Sequence, residues 1–432
     1  MSKNGQVFIE REVYPQLLAW LREPEILALT GPRQSGKTTL LRALASYLEE
    51  EEGEKVVFID FEDTNQLENF LLAPEKFIEL HIREREKVYF LFDEFRYVED
   101  GGKILKLLHD RFSQVKFIIT GSSSLQIREI ASFLVGRAVF FHLFPLSFGE
   151  FLSFKDRAIF SLWQDYHQLF WQFLKGERVV HLDEEKVLFQ KQLEALFEEY
   201  LIFGGYPAVV LSDPEKKRAR LYSLVETYIE KDIIKYLKIG NFLAFKTFVR
   251  VLAAQVGDLV NFSSLATDTK LNFREVKKFL SVLEQTFVAE LIYPYHHNRI
   301  SELKKMPKVY FYDLGLRNAL LDDFRSLLSR SERGSLVENF VFQNLSYCSW
   351  NIPRSFWRTK QGAEVDFVLR LEGRVIPIEV KYQSLSKPQV PRSLLSFMRR
   401  NKIRRGVVLT RDYLDLVAVA KGRILFLPVY FV

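Results

Sequence analysis

Short apolar runs separated by turn residues dominate the first 150 residues. Ile26–Thr30, Val56–Asp60, Val88–Phe92, Lys116–Thr120 and Ala138–His142 are near-continuous apolar stretches. Runs of that length read as strands buried on both faces, the pattern of a parallel sheet. Leu40, Leu41, Leu44 and Leu48 recur at helical spacing after the first run, and further helical segments lie between several of the others. The pattern predicts an α/β fold, a parallel sheet with covering helices. Right-handed crossovers then bring the strand C-termini to one edge, where ligands bind in such sheets.

The pattern changes after residue 150. Residues 151–245 are mostly helical and aromatic, interrupted by the turn Gly204-Gly205-Tyr206-Pro207, and read as a helical lid or connector. Three helices follow, over Phe248–Val256, Ser263–Thr269 and Phe273–Val288. Asn272 is the expected N-cap of the third, and Val276, Phe279, Leu280, Leu283 and Phe287 lie on its buried face. Leu291–Tyr295 and Val309–Tyr312 are expected to pair around a polar loop that holds His296, His297 and Arg299. This is the order of a winged helix-turn-helix. Further on, Glu364–Arg370 alternates polar and apolar, Glu372-Gly373 makes a turn, and Val375–Lys381 forms a second strand. A turn centred between Glu372 and Gly373 sets Asp366 opposite Glu379 and Glu364 opposite Lys381, all four on one face. A helix over Gly334–Leu345 precedes this hairpin. Pro391–Arg400 reads as a helix and Gly406–Thr410 as a strand after it. Four segments result: a parallel-sheet α/β domain over 1–150, a helical connector over 151–245, a winged helix over 246–325 and an α/β domain over 326–432.

Chemistry enters at Gly31-Pro32-Arg33-Gln34-Ser35-Gly36-Lys37-Thr38, which fits G-x-x-x-x-G-K-[ST] between a strand and a helix. The backbone N–H groups of this loop and the helix N-terminus suit a phosphate. The expected nucleotide contacts run from Gly31 through Thr39. Lys37 is assigned to the β and γ phosphates of ATP and the Thr38 hydroxyl to Mg²⁺. Asp93 and Glu94 directly follow the apolar run Val88–Phe92; Asp93 is the expected second metal residue and Glu94 the base for the attacking water. The intervening strand Val56–Asp60, together with Glu94, points to hydrolysing, motor-type P-loop ATPases. Ser122, in Thr120-Gly121-Ser122-Ser123-Ser124, either contacts the γ-phosphate or water, or caps a helix. Arg137 is either an arginine finger, in cis or in trans, or half of a structural ion pair.

These residues resemble a known family, the prokaryotic AAA-like ATPases with a carboxy-terminal domain of unknown function. The resemblance rests on the P-loop, Asp93-Glu94, Thr120–Ser124, and Gly136-Arg137 followed by Leu143–Phe151. It continues through Phe203-Gly204-Gly205-Tyr206-Pro207, Tyr228–Ile233 and Pro307–Leu316. Lys231 stands where members often carry Arg. The resemblance implies an ATPase core, a winged-helix segment and a degenerate or active nuclease-like end. Asp366 followed by Glu379-Val380-Lys381 resembles the D…(D/E)-x-K arrangement of the PD-(D/E)xK nuclease fold. On that reading Asp366 and Glu379 bind Mg²⁺, Glu338 is a further ligand, and Lys381 positions water or stabilises charge. The alternative is a cross-strand ladder of ion pairs.

Charge sharpens the second half. Residues 331–432 hold 17 Lys and Arg against 8 Asp and Glu, a net +9, whereas the first 330 residues carry −3. A basic end suits a phosphate-rich partner, here DNA, with Arg274, Lys277 and Lys278 on the exposed face of the third helix as expected contacts. A solvated basic surface, and a winged helix that serves only as a packing module, are the competing readings. A single cysteine, Cys348, excludes an internal disulfide framework. No apolar stretch is long enough to span a membrane, and the first residues lack a signal-peptide core. The expectation is a cytoplasmic Mg²⁺-dependent ATPase, able to self-associate, that couples ATP turnover to DNA binding. A regulatory NTPase with a protein-binding C-terminal platform, or an ATP-gated nuclease, are the alternatives. Thirty-nine phenylalanines call for well-filled cores or a broad contact surface.

Overall fold

The computed structural model describes residues 9–82, 87–121, 132–177, 189–233, 241–295, 305–348, 352–420 and 422–432, with the backbone alone for 230–233. The chain divides into two compact units, Met1–Pro145 with Gln285–Phe287, and Leu146–Glu284 with Val288–Val432.

The first unit runs α1 (Val13–Ala19), β1 (Ile26–Thr30), α2 (Lys37–Glu50), β2 (Lys55–Asp60), α3 (Thr64–Leu72), α4 (Pro74–Glu79), β3 (Val88–Asp93), α5 (Gly101–Arg111), β4 (Val115–Gly121) and β5 (Ala138–His142). The five strands form one parallel sheet in the order β2-β3-β4-β1-β5. Every residue of β1, β3 and β4 is buried, whereas β2 and β5, at the edges, are partly exposed. Side chains alternate between two cores. Leu27, Leu29, Tyr89, Leu91 and Ile118 pack with Leu40, Leu41, Leu44 and Leu48 of α2 on one face. Ile26, Phe90, Phe92 and Phe117 pack with Phe61, Phe70, Phe95 and Leu105 on the other. The phenylalanine excess has its place in this second core. The rings of Phe61, Phe70, Phe92 and Phe95 meet at centroid distances of 5.1–5.7 Å, mostly edge to face, a geometry that adds about 0.5–1.5 kcal/mol per pair beyond burial.

The strand Val56–Asp60 departs from expectation in space. It lies between the P-loop and the acid pair along the chain, yet β2 is an edge strand, and β4 separates β1 from β3. Crossover helices allow the chain to leap past a position and fill it later, which the order of apolar runs does not record.

The second unit contains α6 (Phe148–Lys155), α7 (Arg157–Lys175), α8 (Gln190–Phe203), α9 (Pro207–Val210), α10 (Lys217–Leu224), a π-helix over Val225–Ile233, α11 (Phe242–Ala254), α12 (Phe262–Thr269), α13 (Phe273–Gln285), β6 (Ala289–Ile292), β7 (Lys308–Phe311), α14 (Leu314–Leu321), α15 (Arg333–Cys348), β8 (Arg354–Arg358), β9 (Glu364–Leu371), β10 (Arg374–Val380), α16 (Arg392–Arg400), β11 (Arg405–Thr410), β12 (Asp415–Val419) and β13 (Gly422–Pro428). Strands β8 to β13 form a mixed sheet in the order β12-β13-β11-β10-β9-β8, and β6 pairs antiparallel with β7.

Helices α11 to α13 are followed by the antiparallel β6–β7 pair. Asn272 caps α13, its Oδ1 accepting from the N–H groups of Arg274 and Glu275 at 3.0 Å, and Glu275 returns the bond to the Asn272 N–H at 2.9 Å. The preceding helix starts at Phe262 and is capped by Asn261, one residue earlier than the Ser263 start expected.

Two glycine motifs explain each other here. The Asp313 carboxylate caps α14 through the Leu316 N–H and also accepts from the Gly205 N–H, both at 2.8 Å. A Cβ on Gly204 would sit 2.2 Å from Asp313 Oδ1, and one on Gly315 would sit 2.1 Å from the Phe203 carbonyl oxygen. The turn after α8 and the start of α14 therefore approach backbone to backbone. Elsewhere Phe148 and Phe197 pack on Phe340 of α15, with ring centroids 5.4 and 4.8 Å apart. Among the described residues no helix is long and apolar enough to cross a membrane.

Candidate functional site

The C-terminal ends of β1, β4 and β3 stand side by side: Thr30 pairs with Gly121, and Phe92 with Ile119, so Asp93 follows beside Thr120. The chain leaves β1 through Gly31 at φ +155, where a Cβ would fall 2.0 Å from the Leu143 carbonyl oxygen. Gln34 and Gly36 take left-handed φ of 62° and 99°, and α2 begins at Lys37. The loop is braced from beneath by Arg11. Its guanidinium donates to the Ser35 carbonyl at 2.8 Å and to the Phe144 carbonyl at 2.6 Å. No pattern near Arg11 announced this role.

The Lys37 ammonium is buried and donates to the carbonyls of Gly31 and Pro32 at 3.0 and 2.8 Å. Burial lowers its pKa to about 8, against the pull of Glu94 and Asp93. The Ser35 hydroxyl is also buried and has no hydrogen-bond partner among the described residues. Thr38 is partly exposed and Thr39 exposed on the first turn of α2; Arg33 is partly exposed and Gln34 exposed.

Asp93, 2% exposed, accepts from the Thr120 hydroxyl and, at 3.2 Å, from the Glu94 N–H. The same N–H reaches Thr120 Oγ1 at 3.1 Å. Thr120 thus ties the acid pair to the end of β4. Glu94 has a left-handed φ of 48°, and burial raises its pKa while Arg96 and Lys37 oppose the rise. Arg96 Nε lies 2.8 Å from Glu94 Oε2, a partner that nothing in the Asp93-Glu94 pattern signals.

The residues present fit a nucleotide and a hard cation. A glycine cradle that a Cβ would fill, an orphaned Ser35 hydroxyl and a buried ammonium suit phosphate. Oxygen donors on Thr38 and Asp93 suit Mg²⁺.

Arg137 is not brought to this edge. It immediately precedes β5, at the N-terminal end of a strand parallel to β1, and its carbonyl accepts from the Ile26 N–H at 2.7 Å. Its guanidinium is held by Asp110 of α5, with bonds of 2.7 and 3.0 Å. A finger on the chain's own P-loop is excluded, because a parallel strand keeps its start and its end on opposite edges of the sheet. Ser122 lies outside the described residues.

In the second unit, Arg274, Lys277 and Lys278 are exposed on α13, opposite its buried Val276, Phe279, Leu280 and Leu283. Lys277 covers the half-exposed ring of Phe273 at 4.7 Å. His296, His297 and Arg299 lie outside the described residues.

The hairpin register is the expected one: Leu371 pairs with Arg374 and Phe367 with Ile378, so Asp366 comes next to Glu379. Asp366 Oδ2 accepts from the Val380 N–H at 2.7 Å. Both carboxyls are buried, and burial followed by neighbouring carboxylates pushes the pKa of Asp366 well up; burial also raises that of Glu379, against Lys381. Glu338 joins them from α15. The predicted pairing of Glu364 with Lys381 fails. The β9–β10 ladder ends at Phe367 and Ile378; beyond it Glu364 pairs with Arg358 of β8, and the Lys381 N–H turns to Leu409 at 2.7 Å. Lys381 instead reaches Glu379 at 2.8 Å. The strands diverge where each acquires a different neighbour.

A residue of β7 fills the cluster. The Lys308 ammonium lies 2.8 Å from Glu338, 2.5 Å from Glu364 and 4.0 Å from Asp366. Burial alone would lower the Lys308 pKa, but Glu338, Asp366 and Glu364 outweigh it and hold the ammonium above its ordinary value. The Tyr310 hydroxyl donates to the same Glu338 oxygen. Lys308 is legible in the sequence only as one letter of Pro307–Leu316.

The first unit has the architecture of an α/β P-loop domain, and residues 23–152 match the family described as AAA domain, a nucleotide-binding class. Residues 194–326 match a Domain of unknown function (DUF8612), and residues 333–430 a Domain of unknown function (DUF4143). An uncharacterized protein of Haemophilus influenzae is 26% identical over 393 residues, covering 88% of this chain and 88% of that one. One from Mycobacterium tuberculosis is 26% identical, over 89% of this chain and 76% of its own. Among solved structures, Cdc6p from Pyrobaculum aerophilum aligns over 74% of this chain and 97% of its own at 13% identity and a TM-score of 0.29. AMPPCP-bound DnaA from Aquifex aeolicus aligns over 64% and 89% at 12% identity and a TM-score of 0.29.

Proposed function

We propose that this protein binds ATP with Mg²⁺, hydrolyses it, and couples turnover to DNA binding by its second half. The observation that carries the hydrolysis is the acid pair, held by Thr120 at the sheet edge where the P-loop leaves β1. Residues Gly31 to Thr39 would hold the phosphates, with Lys37 leaving the loop carbonyls to meet the β and γ oxygens. Thr38 and Asp93 would hold Mg²⁺, which when bound neutralises developing phosphate charge. Glu94 would orient the water and accept its proton. The division of labour we propose is ATPase over 1–150, connector over 151–245, winged helix over 246–325 and nuclease-like domain over 326–432.

Affinity for ATP should fall with rising pH. Free Lys37 has a pKa of about 8, and adjacent phosphates favour its charged form, so the bound pKa is higher. Binding then takes up a proton above the free pKa. The affinity is flat below about pH 8 and weakens by up to about tenfold per pH unit above it. Calorimetry near pH 7 and pH 9, in buffers of different ionisation enthalpy, reads both the affinity and the proton. Equal affinities at the two values would remove Lys37 from the phosphates.

DNA binding is proposed for the exposed face of α13. Replacing Arg274, Lys277 and Lys278 together by Ala should flatten the slope of log K against log salt by about 2.7, roughly 0.9 per lost phosphate contact. Fluorescence anisotropy of a labelled duplex over a salt series measures this. An absence of binding at low salt would favour a second reading, a regulatory NTPase whose C-terminal half receives a protein. That reading has its own support: the Tyr295 N–H donates to the Phe356 carbonyl at 2.5 Å and the Phe356 N–H donates to the Tyr293 carbonyl at 3.3 Å, which anchors the segment after β6 to β8 as in a packing module.

A further inference from the structure

We propose that the Lys308 ammonium is the resident cation of the partly buried carboxylate cluster formed by Glu338, Glu364, Asp366 and Glu379. It stands in for the divalent ion that a PD-(D/E)xK arrangement requires, so the cluster of the native protein binds no metal.

Four carboxylates drawn from α15, β9 and β10, Asp366 and Glu379 buried and Glu338 and Glu364 partly so, cannot share one site without compensating charge. Nuclease chemistry would supply that charge as Mg²⁺, with near-octahedral oxygens at about 2.0–2.1 Å. Here the charge is already present. An ammonium offers three donors on a point charge, and that of Lys308 has oxygens of Glu338 and Glu364 at 2.8 and 2.5 Å and of Asp366 at 4.0 Å. Lys381 neutralises Glu379 at 2.8 Å and Arg358 meets the second Glu364 oxygen at 3.1 Å. Among the described residues, no group of three or more acids, histidines or cysteines is arranged to hold a metal ion. Among the described residues one acceptor of the cluster is left over, the buried Glu379 Oε2, which has no hydrogen-bond partner there.

Lys308 is a fixed part of its strand rather than a passing side chain. It pairs with Ile292 across the hairpin and bridges to Leu259. The neighbouring Phe311 is clamped by Asn339, which accepts from its N–H at 2.7 Å and donates to its carbonyl at 2.9 Å. Lys308, Tyr310 and Phe311 together therefore form a seam between β7 and α15. The charge that would make a nuclease site has been spent on joining the winged-helix hairpin to the C-terminal sheet.

The test is Mn²⁺ binding, followed by electron paramagnetic resonance on the full chain without nucleotide. Native protein and Asp366→Asn should bind Mn²⁺ alike, with no site attributable to the cluster. Lys308→Met, which keeps the stem and removes the charge, should gain one Mn²⁺ per chain. That site should disappear again in Lys308→Met with Asp366→Asn. If Lys308→Met fails to fold, the same double variant, which removes one charge of each sign, should regain the native far-ultraviolet spectrum; continued unfolding would overturn the proposal. So would a native Mn²⁺ site lost in Asp366→Asn, or a folded Lys308→Met that gains none. None of these readouts depends on ATP hydrolysis.

Discussion

Glu94→Gln should bind ATP as the native protein does and lose its turnover by about two to four orders of magnitude, the range of general-base catalysis. Glutamine keeps the shape of the side chain and its left-handed position after β3, but it cannot accept a proton. Asp93 and Thr120 hold the backbone at that point through the Glu94 N–H, so the substitution leaves the loop intact. Lys37→Ala should behave oppositely and lose binding first. Its ammonium is the buried cation of the loop, and without it the loop offers the phosphates no charged side chain at that depth. The pair of variants, read by nucleotide-binding calorimetry and by phosphate release, separates binding from chemistry. Normal turnover in Glu94→Gln would remove Glu94 as the base and turn attention to other acceptors at this edge. Arg96 adds a second expectation. At 2.8 Å from Glu94 Oε2, it favours the carboxylate form, and Arg96→Ala should shift the acidic limb of the pH–rate profile upward.

Gly204→Ala should destabilise the second unit by about 3 kcal/mol or more. The residue sits at φ 72° and ψ −168°, a region open to glycine almost alone. The new Cβ would also fall 2.2 Å from Asp313 Oδ1. To make room, the carboxylate must leave the Gly205 and Leu316 N–H groups, and both lose a charge-assisted bond inside the core. Burial has already raised the pKa of Asp313 to about 7, so those N–H groups are what keep its charged form in place. Thermal and urea unfolding measure the loss. A variant that melts with the native protein would mean that the carboxylate has another low-energy position. Two of the motifs that carried the family resemblance, Phe203–Pro207 and Pro307–Leu316, thus include residues that serve packing rather than catalysis.

Wherever the determinants are neighbours along the chain, the sequence was a sufficient guide. The strand, glycine loop and helix around Lys37 follow from an apolar run, two glycines and a leucine period. Asn272 caps α13 because its side chain needs only the next N–H groups. The β9–β10 register follows from a two-residue turn, since the pleat then propagates it. Where the ladder ends the guidance ended too, and Glu364 found Lys308 and Arg358 instead of Lys381. Arg137 had the right neighbours in sequence and the wrong edge in space. Arg11 and Thr120, which shape the P-loop and the acid pair, act across 24 and 27 positions of the chain.

By itself, then, the sequence determined that a phosphate-binding loop leaves a buried strand, that an acid pair ends another, and that two opposed acids lie on a late hairpin. These are short-range facts, set by backbone geometry within a few residues. Only the tertiary structure decided that β4 brings the acid pair beside the loop, and that Lys308 rather than a vacant position faces the late carboxylates. Charges interact through space, and which cation meets which acid depends on how distant elements pack.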